Sequence, residues 1–331
     1  MRPHHLTRRN ALTFMAAGVL ALSLSLTLTQ PVMAQAKITR LVVAFPPGGP
    51  VDMVARTLSE QLGKELGTQV IVENKAGANG AIAAEFVARS LPDGNTLWLT
   101  SVGAVAINPP LYEKLPYDPV RDLAPISLVV NNVELLVVGA SNPANNGAEF
   151  IAYAKLKKDG ATMASSGTGS VPHLAMELLA DASKAKLVHV PYKGAAPAIT
   201  DVIAGHVDGF FGDIPGLMGF IKAGKLKPMG IAALNRHPLL PEVKTFKEMG
   251  LVGVDSDNWY GLFASKATSA GDVDRINLAV KRTLAHESVR TKLLASGAEP
   301  SASSPAELAL LLKNDTAKWS KVIHDKKIKP E

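Results

Sequence analysis

Residues 38–52 read ITRLVVAFPPGGPVD, and this stretch decides the fold class. Its first part, Ile38–Phe45, is apolar apart from Thr39 and Arg40, the pattern of a buried strand. Pro46-Pro47-Gly48-Gly49 stops that strand, and Val51, Val54, Ala55, Leu58, Leu62 and Leu66 then recur at helical spacing. A buried strand, a tight turn and an amphipathic helix make the repeating unit of a parallel sheet covered by helices.

The same grammar continues along the chain. Strands are expected at 69–73, 96–100, 133–139, 162–165, 186–190, 207–211, 226–232 and 260–264. Helices are expected at 80–89, 148–158, 172–182, 195–204, 215–223, 270–285, 287–295 and 305–325. The fold class is therefore α/β, with mainly parallel sheets under helices and ligands at the carboxyl ends of the strands.

Residues 1–36 read as an export signal. Arg2, Arg8 and Arg9 precede an apolar run from Ala11 to Leu28, and small residues at Val32, Ala34 and Ala36 fit a signal-peptidase site. Cleavage is expected near Ala34 or Ala36, placing the mature protein in the periplasm. Thr7-Arg8-Arg9-Asn10 also fits a twin-arginine signal, so the general secretory and twin-arginine routes both stay open. Losing those three arginines lowers the formal charge from +6 to +3, and the remaining excess sits at the tail (Lys326, Lys327, Lys329). That is no basic stripe for nucleic acid. With no cysteine there is no disulfide, thiolate zinc site or cysteine nucleophile. About 295 residues remain, beyond the size at which one core usually divides. Two lobes are expected, 37–138 with 260–331 and 139–259, with the chain crossing near 137–142 and 254–260.

Two loops are suited to an anion. Phe45, Pro47, Gly48 and Gly49 lead from a strand into a helix N-terminus, where backbone N–H groups can approach a ligand. The bland reading is a tight turn in which Asp52 satisfies local donors. Residues 165–173, SSGTGSVPH, hold four hydroxyls, two glycines and the next helix start. Such donors suit a carboxylate, and the helix end adds roughly 0.3–1 kcal/mol for its charge. His173 is expected to pack in the first turn, with no acid spaced to orient it. Other chemistries fail on spacing. Ser165–Ser170 lacks the G-x-S-x-G elbow, and Gly167-x-Gly169 lacks the third glycine of a dinucleotide loop. Gly219-x4-Gly224-Lys225 mimics a phosphate loop, but Leu226 stands where magnesium needs Ser or Thr.

Ordered motifs spread over the mature chain then carry a resemblance. FPPGGPVD (45–52), ENKAGANG (73–80), PDGNTL (92–97), SSGTGSVPHL (165–174), HVPYKGAAPAITD (189–201), NWYGLF (258–263) and GAEPSASSPAEL (297–308) together resemble the tripartite tricarboxylate transporter receptors of the Bug type. The resemblance implies a two-lobed, type II periplasmic-binding-protein fold, no catalysis and no cofactor. It also implies a di- or tricarboxylate, aromatic or amino-acid-like ligand in the cleft. It assigns ligand contact to Phe45, Pro47, Gly48 and Gly49 in the first lobe, and to Ser165, Ser166, Thr168, Gly169 and Ser170 in the second. Tyr192, Lys193, Gly194 and Ala195 belong to the same rim, with Lys193 a cation for the ligand or a solvated lysine. Many relatives have Asp directly after Phe where this chain reads Phe211-Gly212-Asp213, so Asp213 either reads a ligand hydroxyl or amine or caps a helix.

The chain is thus expected to be a monomeric receptor with two partners, a small carboxylate and the membrane subunits of a transporter. A sensory receptor serving a membrane histidine kinase would share the pocket. Growth on the ligand after permease deletion separates the two. An exported serine hydrolase using 165–170 is the remote third reading, open to a chromogenic-ester screen.

Overall fold

The computed structural model describes residues 37–330, so the export signal expected at 1–36 lies outside the described residues. Strand β1 (Ile38–Val43) runs parallel to β2 (Gln69–Asn74) on one side and to β3 (Thr96–Ser101) on the other. Helix α1 (Pro50–Leu66) buries Val51, Val54, Ala55, Leu58 and Leu62, the positions its periodicity marks, and ends at Gly67 in the left-handed conformation. Helix α2 (Ala81–Ala88) follows β2. After β3 a widened π turn at Gly103–Ile107 runs into the short α3 (Asn108–Leu111), an element that local periodicity does not announce.

Strand β4 (Leu123–Gly139) is 17 residues long and begins ten positions before the expected strand at 133–139. Pro125 and Asn131-Asn132 interrupt its apolar pattern in the sequence. The ladder shifts register between Pro125 and Ser127 and again between Leu128 and Val130, bulges of the kind that accommodate a strand proline. The order then alternates as expected: α4 (Gly147–Leu156), β5 (Ala161–Ser165), α5 (Val171–Ser183), β6 (Leu187–Pro191), α6 (Ala195–Ala204), β7 (Gly209–Asp213), α7 (Ile214–Lys222) and β8 (Leu226–Ile231). Strand β9 (Asp257–Ser265), helices α8 (Ala270–Ala285) and α9 (Glu287–Ser296), the two-residue β10 (Glu299–Pro300) and α10 (Pro305–Lys326) complete the chain.

The strands lie in the order β2-β1-β3-β9-β4-β7-β5-β6, with β8 and β10 also on β4. The outer ladders β2-β1-β3 and β7-β5-β6 are parallel, whereas β9 and β4 run antiparallel to their neighbours. β4 changes partner along its length: Leu123–Val133 pairs with β9, and from Glu134 onward it pairs with β7 and β8. Successive residues beyond that point face opposite ways, as a strand requires. Leu135, Val137 and Phe210 join a core with α6 and α7, while Leu136, Val138 and Phe211 join one with Phe150 and Phe246. A third core holds the β1–β3 half, including Trp98, Phe263 and Trp319. Among the described residues no helix is long and apolar enough to cross a membrane.

Candidate ligand-binding site

The ends of β1, β5 and β6 and the start of α2 surround a cavity of about 270 Å³. Ala44, Phe45 and the loop Gly77–Gly80 line it from the β1–β3 half, with Tyr112 beside them. Ser166, Gly167, Thr168 and Pro191–Gly194 line it from the other. Through Phe45 and Ser166 it adjoins a smaller space, about 30 Å³, bordered by Ser101, Ser170, Ala195, Asp213 and Asn258. Two larger hollows lie elsewhere. One of 740 Å³ runs over Ile38, Arg40, Phe86 and Arg89, and one of 720 Å³ lies around Asn132, His237, Trp259 and Asp315. Neither is lined by the glycine and hydroxyl loops, so size alone does not locate the site.

The 165–170 loop divides its hydroxyls. Ser166 and Thr168 are half-buried on the cavity wall, and neither side chain has a hydrogen-bond partner among the described residues. Ser165 is fully buried and lines neither space. Its Oγ lies 2.6 Å from His189 Nε2 and accepts the Gly167 N–H at 3.1 Å. Ser170 caps α5, accepting from the His173 N–H at 3.4 Å, and borders the smaller space. Gly169 adopts φ +78°, and a Cβ there would stand 2.6 Å from Leu111 Cδ2. It lines neither space, but its N–H donates to His173 Nδ1 at 3.2 Å.

His173 is therefore a packed neutral ring, as expected. It is buried and stacked on His189 at 3.8 Å, and burial, then the His189 ring, lowers its pKa to about 3. The expectation that no acid reaches it is corrected: Glu177, one turn on, approaches Nε2 at 3.8 Å.

The 45–49 loop behaves differently. Phe45 lines both spaces, but Pro47 and Gly48 are exposed and Gly49 is buried, and none of the three borders the cavity. The Gly48 N–H donates to Asp52 Oδ2 at 2.9 Å, and Asn74 Nδ2 donates to both Phe45 O and Asp52 Oδ1. Arg56 Nε completes the clasp at 2.9 Å. Burial raises the pKa of Asp52, but the bonds from Arg56, Gly48 and Asn74 outweigh it and hold the carboxyl below its ordinary value.

On the third loop, Lys193 is exposed on the rim and Gly194 sits at φ +113° with its Cα facing Pro46, where a Cβ would meet Cδ at 2.5 Å. Tyr192 lines the cavity. Its hydroxyl donates to Asp201 at 2.6 Å, and burial followed by that bond pushes the phenol up to about 12. Ala195 begins α6 and borders the smaller space, as does Asp213 at the end of β7. Asp213 makes no side-chain cap to α7. It accepts from Asn258 Nδ2 at 2.9 Å and from the Tyr260 hydroxyl.

Local reading passes over Asn79. It has φ +44° and is buried on the cavity wall, clasped with Asn108 by bonds of 2.9 and 3.1 Å, while its Oδ1 has no partner. Its signal was present in ANG (78–80), a glycine-bearing strand-to-helix loop like the other two. Ser101 and Asn258 carry no such signal, since both lie in strands whose neighbours are set by long-range pairing. No group of His, Cys, Asp or Glu among the described residues could hold a metal.

Comparison with known proteins identifies this arrangement. Residues 54–328 match the family described as "Tripartite tricarboxylate transporter family receptor". The chain is 32% identical to the periplasmic binding protein BugD, with a TM-score of 0.85 over 88% of this chain and 98% of that one. It is 34% identical to MatC of Rhodopseudomonas palustris, solved with bound malate, at TM-score 0.82 over 86% and 98%. It is 31% identical to R. palustris Rpa4515, solved with adipate, at TM-score 0.86 over 89% and 98%. The fold is the two-lobed α/β architecture of periplasmic binding proteins. The chain belongs to the tripartite tricarboxylate transporter receptor family, as a Bug-type substrate-binding receptor and not an enzyme.

Proposed function

We propose that the protein captures a small organic carboxylate in the 270 Å³ cavity and delivers it in the periplasm to the membrane subunits of a tripartite tricarboxylate-type transporter. One observation carries this reading, the charge of the lining. Lys193 is the only charged side chain among the described residues that border the cavity, and no carboxylate faces it. The unpartnered Ser166 and Thr168 hydroxyls are donors for an anion, and α2 and α6 both begin at the wall, at Gly80 and Gly194. Helix N-termini and charge-assisted bonds favour a carboxylate there. The relatives solved with malate and adipate support the same ligand class.

The lobes expected from the sequence, 37–138 with 260–331 and 139–259, belong to this proposal. Their support is that β4 and the segment entering β9 both pass between the two halves, β4 changing partner between Val133 and Glu134. Export with removal of residues 1–36 belongs to it as well.

A thermal-shift panel of mono-, di- and tricarboxylates, aromatic acids and amino acids tests the reading. A true ligand at a hundred times its Kd stabilises the fold by about 2.7 kcal/mol. Shifts produced only by uncharged analogues of the same skeletons would remove the carboxylate from the assignment.

A further inference from the structure

Beyond Ser166 the cleft narrows to the space of about 30 Å³, room for a group of about water's size. Asp213 borders that space, and Glu134 stands opposite Asp213 in the β4–β7 register, outside the lining. Asn258 Nδ2 bridges them, donating to Asp213 Oδ1 at 2.9 Å and to Glu134 Oε1 at 3.2 Å, and the Tyr260 hydroxyl donates to Asp213 Oδ2. Glu134 is 0% exposed and Asp213 7%. None of the groups that hydrogen-bond the pair is a cation.

Two negative charges so placed do not both persist in a low-dielectric interior. Burial, then the charge of Asp213, raises Glu134 well above its ordinary pKa, so Glu134 keeps its proton. Glu134 Oε2 is buried with no hydrogen-bond partner among the described residues, so nothing there stabilises a charge on Glu134. Burial raises Asp213 only to about 6, because Tyr260, Asn258 and Glu134 all hydrogen-bond its ionised form. Donors on both Asp213 oxygens and none on Glu134 Oε2 favour one negative charge on the pair, carried by Asp213, with no cation among its hydrogen-bond partners. Asn258 Oδ1, on the same border, is a second buried acceptor without a donor.

Resting on the carboxylate reading above, we propose that Asp213, backed by Glu134, reads the far end of the ligand. It selects a carboxylate bearing a hydrogen-bond donor, ammonium before hydroxyl, and rejects a second ionised carboxylate. Ser166 lines both spaces, so a short ligand held at Ser166 and Thr168 by its carboxylate directs its other end toward Asp213 and Asn258. An ammonium balances the buried charge. A second carboxylate opposes it and exceeds the room there.

Calorimetric titration at neutral pH with 4-aminobutanoate, 4-hydroxybutanoate and succinate, and with their six-carbon counterparts, tests this. The amino acid is expected to bind tightest and the diacid weakest at each length, with about tenfold or more between them. Asp213→Asn is expected to erase that spread, the diacid gaining on the amino acid. A diacid that binds tightest to the wild type, or an unchanged spread in Asp213→Asn, overturns the inference while leaving the receptor reading intact. No binding by any member of either series removes both. Infrared spectroscopy supplies a readout that does not depend on ligand: a protonated-carboxyl band at neutral pH, lost in Glu134→Gln. Its absence from the wild type also overturns the proposal.

Discussion

The loops 45–49 and 165–170 share one local design, a strand end, glycines and a proline-led helix, and they use it differently. In the first, the Gly48 N–H, the Phe45 carbonyl and the Asp52 carboxylate satisfy one another through Asn74 and Arg56. In the second, the Ser166 and Thr168 side chains have no partner among the described residues, while Ser165, Gly167, Gly169 and Ser170 hold the turn. A carboxylate inside the helix, Asp52, makes the difference. Asp52 turns the first loop's Gly48 N–H inward, whereas in the second His173 and Ser165 take backbone N–H groups and leave the Ser166 and Thr168 hydroxyls unpartnered among the described residues. Glycine content alone does not separate a binding loop from a structural turn.

Substitutions can break this comparison. The largest effect is expected at Asp52, which is 2% exposed and accepts from three groups. Asp52→Ala should destabilise the protein by about 3 kcal/mol in denaturant titration, since bonds to a buried charge are lost. The native pKa of Asp52 is lowered, so its contribution is present above the unfolded value near 3.8 and disappears as pH falls through the native one. Asp52→Asn should therefore flatten the acid limb of the stability–pH curve, and an unchanged limb would contradict the assignment.

Next come Thr168→Val and Ser166→Ala, each expected to weaken carboxylate binding about five- to a hundredfold, or roughly 1–3 kcal/mol. Unliganded stability should change little, because neither hydroxyl supports the fold. Calorimetry on both variants checks this, and full affinity in both would mean the second loop is as self-satisfied as the first. Lys193→Met should cost less, about 1 kcal/mol or below, and the loss should fade with added salt, as for an exposed charge. A collapse of binding in this variant alone would assign the ligand to a point charge. The smallest effect on affinity is expected at Gly48. Gly48→Ala meets no atom within 4 Å but must hold φ +80°, so it should lower stability by about 1 kcal/mol and leave affinity near wild type. A marked affinity loss would return this loop to the ligand.

Much of the candidate site was legible because its polar groups are local. Ser166 and Thr168 stand in one hydroxyl-rich turn, and Tyr192, Lys193 and Gly194 in another, both placed at strand-to-helix junctions by periodicity. Ser165 shows where that reading stops. It has the same side chain as Ser166, yet it is the last residue of β5 and points into the interior toward His189, because successive strand residues alternate sides. Pro47, Gly48 and Gly49 were assigned to the ligand through the family resemblance. They fall outside the lining, and the Gly48 N–H is already taken by Asp52, four residues on.

The sequence by itself determined the alternation of strands and helices, the junctions at which glycines and hydroxyls cluster, and the family these motifs belong to. Apolar periodicity and short-range turn chemistry act over a few residues and leave their mark directly in the order of side chains. Only the tertiary structure decided that β4 starts at Leu123 and changes partner between Val133 and Glu134. That change brings Glu134 opposite Asp213 and sets Asn258 and Tyr260 around the pair. Asp213 was marked in its own segment, but nothing local to Glu134, Asn258 or Tyr260 announces that they gather around it. Their meeting depends on strand pairing between distant parts of the chain, and burial at that junction disfavours ionising both carboxyl groups.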